Sequence, residues 1–436
     1  MRILVIAPQP FFAERGTPIA VRRLVETLCA DGHEVDLLTY PFGTDVEVEG
    51  LSIHRARTFP GVDAVGIGFS LRKLLLDLML LPKFFQMAKS GRYHTVHAVE
   101  EAVYLALLLR RRHQAKVVYD MDSSLVDQLA DSNTVFRLFR PLLTRIEQWA
   151  IRHADVVAPM CQDLADYAVD IRETEDAVVL HDVPVETASV ASALPLTMNG
   201  ANEGRPLALY VGNLEAYQGI DLLVEAAGLL PRESPVSIQV VGGPMNEVER
   251  FRSLIAERDL RDRIQFLGPR PLEQLNERLA RADILLSPRS KGGNTPLKVY
   301  SYMESGRAIL ATRLSTHTQV LDDSTALLVD PSPEAYARGL ARLAGDEELR
   351  NTLGESAQRR VRRSYSPRSF ARKVRDIYGS HRPRAAHAGS AWGLSDVWHG
   401  ADRRASGERR RGGDRRSGPR AGRERRVGER RSLIHA

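Results

Sequence analysis

The stretch Gly292-Gly293-Asn294-Thr295-Pro296-Leu297-Lys298-Val299-Tyr300-Ser301-Tyr302-Met303 combines the residue types that an anion site needs. It follows an apolar run, Ile284-Leu285-Leu286-Ser287-Pro288, and opens a helical pattern that ends at Gly306. A second apolar run, Ala308–Thr312, comes next. A helix N-terminus offers unpaired N–H groups and a partial positive charge. Glycines let a ligand approach the backbone closely. Lys298 falls in the first turn, where the helix dipole mildly disfavours a cation, so its placement there points to a role. Strand, glycine loop and helix start together predict a phosphate-bearing ligand.

The elements that must position this loop alternate between strand and helix. In the first half, strands are predicted at Arg2–Ala7, Glu34–Tyr40, Leu51–Arg55, Thr95–Val99, Lys116–Met121, Asp155–Ala158 and Ala177–Leu180. Ile19, Leu24, Val25, Leu28 and Cys29 show the helical spacing expected between the first two. The second half repeats the pattern at Leu207–Val211, Ser237–Val241, Ile264–Leu267, Ile284–Ser287, Ala308–Ala311 and Ala326–Val329. Such alternation predicts an α/β chain with two doubly wound, mainly parallel sheets, and ligands at the carboxyl ends of the strands. Residues 186–205 lack periodicity and hold turn residues, which places a linker there. The first domain is then 1–185 and the second 206–365. A final helix over 366–380 starts on a serine cap with proline at its first position, Ser366-Pro367, and runs to about Tyr378. The segment from Phe69 to Phe85 is heavily apolar and basic at both ends. Its charges and Pro82, read as a break, make it too short to span a bilayer. It reads as a helix packed on the sheet or as one lying in a membrane interface, and Phe136–Leu143 has similar character.

The chain has 436 residues, enough for two α/β domains, and 43% apolar residues, normal for a globular protein. Its net charge of +6 hides an asymmetry. Residues 381–436 hold 15 Arg and 6 acidic groups, leaving 46 basic and 49 acidic groups over 1–380. The tail, with Arg pairs separated by Gly, Asp and Glu, is predicted to be disordered. Its charge suits anionic lipid or RNA, and equally a solvated segment with no dedicated partner. Nucleic acid is not the partner expected for the chain as a whole. Cys29 and Cys161 are far apart, so buried thiols are expected rather than a disulfide, and no cysteine–histidine cluster suggests zinc. The N-terminus enters a strand directly instead of a long apolar signal region. A cytoplasmic protein is expected, peripheral at the inner face of the cytoplasmic membrane if the basic and apolar segments engage lipid.

Several segments together resemble one family. These are Arg15-Gly16-Thr17-Pro18-Ile19-Ala20, Val211-Gly212-Asn213-Leu214-Glu215-Ala216-Tyr217-Gln218-Gly219-Ile220, and Asp283-Ile284-Leu285-Leu286-Ser287-Pro288 with the loop after it. Over about residues 1–380 the chain resembles a family 4 (group 1) glycosyltransferase of the GT-B fold, in a subgroup lacking the usual paired glutamates. The resemblance implies two Rossmann-like domains facing across a cleft, with the last helix crossing back to the first. It also implies a nucleotide-sugar donor as co-substrate, retention of anomeric configuration, and no metal or other cofactor. The expected activity is sugar transfer to a cell-envelope polysaccharide or lipid-linked acceptor. The alternative is a non-catalytic relative that binds a nucleotide sugar or a partner.

The departures from the family pattern are specific. The two glutamate positions fall at Gly293 and Ser301, with Glu304 one turn further on. The loop after the first strand of the second domain has Asn213 and Gln218 where many members have Arg and Lys. Two explanations compete. One is a subgroup gripping the donor with Lys298, Lys291, Arg289 and loop amides; the other is lost catalysis. The first is favoured because the loop remains well suited to phosphate. Lys298 would then stabilise charge on the leaving nucleoside diphosphate. Gly293, Asn294, Thr295 and Ser301 would bind the donor, together with Asn213, Gln218 and Lys291. Arg270 would lie at the base edge. Gly16 and Thr17 would face the phosphates or acceptor from the first domain. Asp122 would sit near the reacting sugar, with Asp120 structural. Glu100 or its neighbour Glu101 would position the acceptor hydroxyl or act as base. His97 reads as a buried strand histidine, and His317 as a loop residue within reach of the cleft.

Overall fold

The computed structural model describes residues 1–13, 16–58, 71–90, 93–113, 115–126, 129, 137–173, 177–185, 205–231, 233–271 and 274–379. Nearly all of the expected linker, and the whole arginine-rich tail, lie outside them. Six strands form the first sheet: β1 (Arg2–Ala7), β2 (Glu34–Thr39), β3 (Leu51–Arg55), β4 (Thr95–Val99), β5 (Lys116–Met121) and β6 (Val156–Pro159). The second contains β7 (Leu207–Val211), β8 (Ser237–Val241), β9 (Ile264–Gly268), β10 (Ile284–Ser287), β11 (Ala308–Thr312) and β12 (Leu327–Val329). The orders are β3-β2-β1-β4-β5-β6 and β12-β11-β10-β7-β8-β9, with neighbours parallel. Counted within each half, the two sheets have the same topology. Each reverses direction between its first and fourth strands, which is where doubly wound sheets open a ligand crevice.

Burial on both faces explains the continuous apolar runs that define these strands. One face of the first sheet packs Leu4, Ile6, Leu38, Val96 and Tyr119 against Leu76, Leu80 and Phe84. The other packs Ile3, Val5 and Leu37 against Val21, Leu24 and Val25. The helix Pro367–Gly379 joins this second face through Phe370, Val374, Ile377 and Tyr378. Each fully buried side chain of this size contributes roughly 1.5–3 kcal/mol. Ser366 Oγ caps the helix by accepting from Ser369 N at 3.2 Å. Lys116 Nζ then donates to the Ile377 carbonyl, and Arg375 pairs with Asp31 at 3.0 Å. The C-terminal helix is thereby fixed to the first half.

Two expectations need correction. The helix Leu71–Ser90 runs through Pro82 instead of stopping there. Pro82 lies on the exposed side, while Leu76, Leu80, Phe84 and Met87 anchor the opposite side in the core. That burial outweighs one lost backbone hydrogen bond. The segment Ala177–Leu180 is not a full strand but a single bridge from Val157 to Ala177. Val178 N and Leu180 N still reach the β6 carbonyls of Val157 and Pro159. Leu180 and Val183 then turn under the C-terminal helix instead of continuing along the sheet.

Candidate functional site

The loops after β7 and β10 approach each other closely at the second sheet's switch point. At Gly219, with φ of +74°, a Cβ would come within 1.9 Å of the Pro288 carbonyl oxygen, so only glycine fits. The helix Leu297–Ser305 begins just beyond, with Pro296 at its N-cap and no side chain capping its first N–H groups. Lys298 points back from this helix toward the β7 loop. Its Nζ donates to Gln218 Oε1 at 3.0 Å and lies 3.9 Å from the centre of the Tyr210 ring. The ammonium is so close to Gly212 that a Cβ there would stand 3.2 Å from it. Burial, then the charge of Arg289, push the Lys298 pKa well below the usual lysine value. Among the described residues, no carboxylate accepts a hydrogen bond from it.

Arg289 builds the loop. Its buried guanidinium donates to the carbonyls of Lys291 (2.8 Å) and Asn294 (2.9 Å), to Asn294 Oδ1 (3.0 Å) and to Thr316 Oγ1 (3.0 Å). It also lies over the Tyr217 ring. Most of its donors are thus committed to shaping the segment 291–294. Lys291 and Gly293 are exposed at the rim, and Thr295 is buried beneath. Gln218 presents its carbonyl oxygen to Lys298 and to the Tyr210 hydroxyl, acting as an acceptor where a donor to phosphate was expected. Asn213 Nδ2 lies 3.5 Å from Tyr217 Oη. Arg270 is exposed beyond β9, bonded to the Pro269 carbonyl.

The remaining loop residues face the first half. The Gly293 carbonyl accepts from Gln319 Nε2 at 2.9 Å and lies 3.7 Å from Cys161 Sγ. Gln319 Oε1 accepts from Asp163 N at 3.0 Å. Ser301 Oγ accepts from Val185 N at 3.1 Å, which commits it to the segment leading out of the first half. Glu304 pairs with Arg362 at 2.9 Å, away from the loop. His317 departs from the expectation of a cleft residue. It is fully buried, bonded to Ser287 Oγ and the Thr312 carbonyl, and burial pushes its pKa down to about 3.

Across from the loop, the first sheet's strand ends gather carboxylates. Asp122 follows β5 and accepts a hydrogen bond from Thr17, in the first turn of the helix Gly16–Ala30. Burial, reinforced by Asp120, Glu100 and Asp182, pushes its pKa well above the carboxylate range. Asp182, which the sequence reading passed over, is pushed up to about 7 by burial and Asp120. Its one signal was its position just after the apolar run Val178-Val179-Leu180. Asp120 is held by His97 at 3.0 Å, and His97 by the Tyr378 hydroxyl at 2.8 Å. Glu100 adopts φ of +50° at the end of β4 and accepts from Ser123 Oγ at 3.2 Å. Glu101 is turned to Lys73 at 2.8 Å, and burial, together with Glu100, raises its pKa.

The comparisons with known proteins fall on this geometry. A family model described as "Glycosyl transferases group 1" matches residues 197–360, and one described as "Glycosyl transferase 4-like domain" matches 15–182. The chain belongs to the family 4 (group 1) glycosyltransferases of the GT-B fold. This family member is 29% identical over 248 residues to a D-inositol 3-phosphate glycosyltransferase of Corynebacterium glutamicum, covering 53% of the chain and 59% of that protein. It is 26% identical over 254 residues to an alpha-D-kanosaminyltransferase of Streptomyces kanamyceticus, covering 55% and 65%. The match therefore spans less than two thirds of either relative. Among solved structures, sucrose-phosphate synthase from Thermosynechococcus elongatus superposes with a TM-score of 0.68 at 22% identity, over 87% of the chain and 98% of that structure. Anabaena HepE solved with UDP-glucose superposes at 0.64 and 13% identity, over 87% and 100%.

Proposed function

We propose that the protein is a retaining, metal-independent glycosyltransferase that uses a nucleotide-sugar donor. The acceptor we propose is a cell-envelope polysaccharide or a lipid-linked glycan, reached at the inner face of the cytoplasmic membrane. The observation that carries the reading is the half-buried Lys298 ammonium, desolvated at the switch point and, among the described residues, hydrogen-bonded to a neutral partner. A buried cation without a counter-charge is costly, and a diphosphate arriving above Gly212 would offset that cost. The donor would lie on the loop 291–298, with its phosphates toward Lys298 and the start of the helix Leu297–Ser305. Lys298 would stabilise the charge that grows on the departing nucleoside diphosphate, and Arg289 would hold the loop amides in place. On the facing side, Thr17 and Asp122 would contact the transferred sugar or the acceptor. With its pKa raised, Asp122 suits a hydrogen-bond donor better than a base.

A non-catalytic donor-binding protein is the second reading, and one feature favours it. Ser301 and Gly293, at the family's glutamate positions, face Val185 and Cys161 of the first half, and Glu304 is paired elsewhere. A panel of nucleotide sugars screened by thermal shift tests donor binding. A bound donor at 100 times its dissociation constant adds about 2.7 kcal/mol of stability. If no nucleotide sugar shifts the transition, the donor-site reading fails. A shift without turnover on any glycan or glycolipid acceptor selects the non-catalytic reading.

A further inference from the structure

The first half carries an apolar and basic face that the donor site does not use. Among the described residues, eight of the ten large apolar side chains left exposed fall between positions 74 and 142. Leu74, Leu75 and Leu78 stand out from the helix Leu71–Ser90, each nearly half exposed, with Phe85 further along. Leu138 (79% exposed) and Leu142 mark the start of the helix Arg140–His153. Both helices, and Ala102–His113 between them, cover the same face of the first sheet through one core. Isolated exposed leucines are ordinary, but a concentration on neighbouring helices marks an interaction surface.

We propose that this face docks on an anionic lipid bilayer. The charges select that partner. Each of the helices Leu71–Ser90 and Arg140–His153 has a single acid, and both acids turn inward. Asp77 bonds the Tyr40 hydroxyl, and Glu147 accepts from Tyr167 at 2.9 Å. The helix Ala102–His113 has none. Arg72, Arg140 and Arg145 are exposed, although residues 1–380 carry more acids than bases. Two copies pairing through this face would oppose like charges, whereas acidic headgroups complement them. No helix among the described residues is long and apolar enough to cross a membrane. The leucines would instead enter the boundary between headgroups and acyl chains, at a depth of about 5–10 Å. Lys73, adjacent to Leu74, bonds Glu101 and lies 3.7 Å from Glu100 at the end of β4. The face therefore borders the acidic strand ends. An acceptor carried on lipid would reach Asp122 without leaving the surface, an extension that rests on the proposed activity where the docking itself does not.

Flotation of the full chain with phosphatidylglycerol-containing and pure phosphatidylcholine vesicles tests the docking. Binding to the anionic vesicles is expected, falling at least about tenfold in the triple variant Leu74→Ser, Leu75→Ser, Leu78→Ser, since each removes apolar area from the interface. Arg140→Glu with Arg145→Glu should weaken binding independently, most at low salt. That pair decides the matter if the triple variant does not fold. Wild-type binding by these variants would assign lipid attachment to the arginine-rich tail and overturn the proposal. So would absent vesicle binding together with a dimer that the leucine variant dissociates. Nucleotide-sugar thermal shifts measured on the same variants should stay unchanged, which separates failure of the docking from failure of the donor site.

Discussion

The two switch points have one topology and opposite electrostatics. In the first half the strand ends collect Glu100, Asp120, Asp122 and Asp182, and burial raises the pKa of Asp122 and Asp182. In the second half they collect Lys298 and Arg289, and burial lowers both. Each side is driven toward neutrality because desolvation penalises whichever form is charged. A shared scaffold leaves the sign of a site to a few loop residues. The proposed anion site lies on the second half. Among the described residues, Lys298 is a desolvated cation set beside a polar loop and a helix start with no side-chain cap.

The largest expected effect breaks the cationic side. Lys298→Met should reduce turnover by about 10²–10³-fold, the range for losing one charge-stabilising group. The same change should stabilise the free protein by roughly 1 kcal/mol, because it replaces a poorly compensated, half-buried charge. Lost turnover with lost stability in calorimetry would instead make Lys298 a packing residue. Binding carries a linked sign. A diphosphate raises the Lys298 pKa, so affinity should fall as pH rises through the lowered value of the free protein. Titration calorimetry in buffers of different ionisation enthalpy should show proton uptake on that limb.

The next test sharpens the acidic side. Asp182 is protonated in the fold up to about pH 7 and ordinarily loses its proton near 3.8. Between these values the folded state binds more protons than the unfolded state, so stability should decline as pH rises through that window. Asp182→Asn should flatten the decline in thermal melts, and an unchanged slope would show that Asp182 does not set it. The smallest effect concerns the contact between the sides. Gln319→Ala removes the amide that joins Asp163 N to the Gly293 carbonyl, and should cost about 1 kcal/mol or less. Faster amide exchange over 291–295, with donor affinity lowered only a few-fold, is the expected outcome.

Much of this was legible in the chain itself. Apolar runs of four to seven residues between helical patterns gave all twelve strands to within one residue at either end, because strands buried on both faces must be continuously apolar. Lys298 stood out because a lysine in a helix first turn opposes the helix dipole. The thirteenth predicted strand, at Ala177–Leu180, had the same composition as the others but lies where the chain leaves for the second half. Pro82 obeyed the statistics of helix breaking until a buried side overruled them.

Residue order alone carries the repeated strand–helix alternation, the glycine loop with its lysine, and the contrast between a near-neutral body and an arginine-rich tail. These follow from local rules of periodicity, turn chemistry and charge. The partners came from the packing of the folded chain. It set Lys298 against Gln218 and Tyr210, eighty or more positions away in the chain, and turned Arg289 into a brace for its own loop. It buried His317, engaged Ser301 with Val185, brought Asp182 beside Asp120, and left the leucines of three neighbouring helices in the open. Burial and pairing depend on which surfaces meet, and that depends on contacts between segments far apart in sequence.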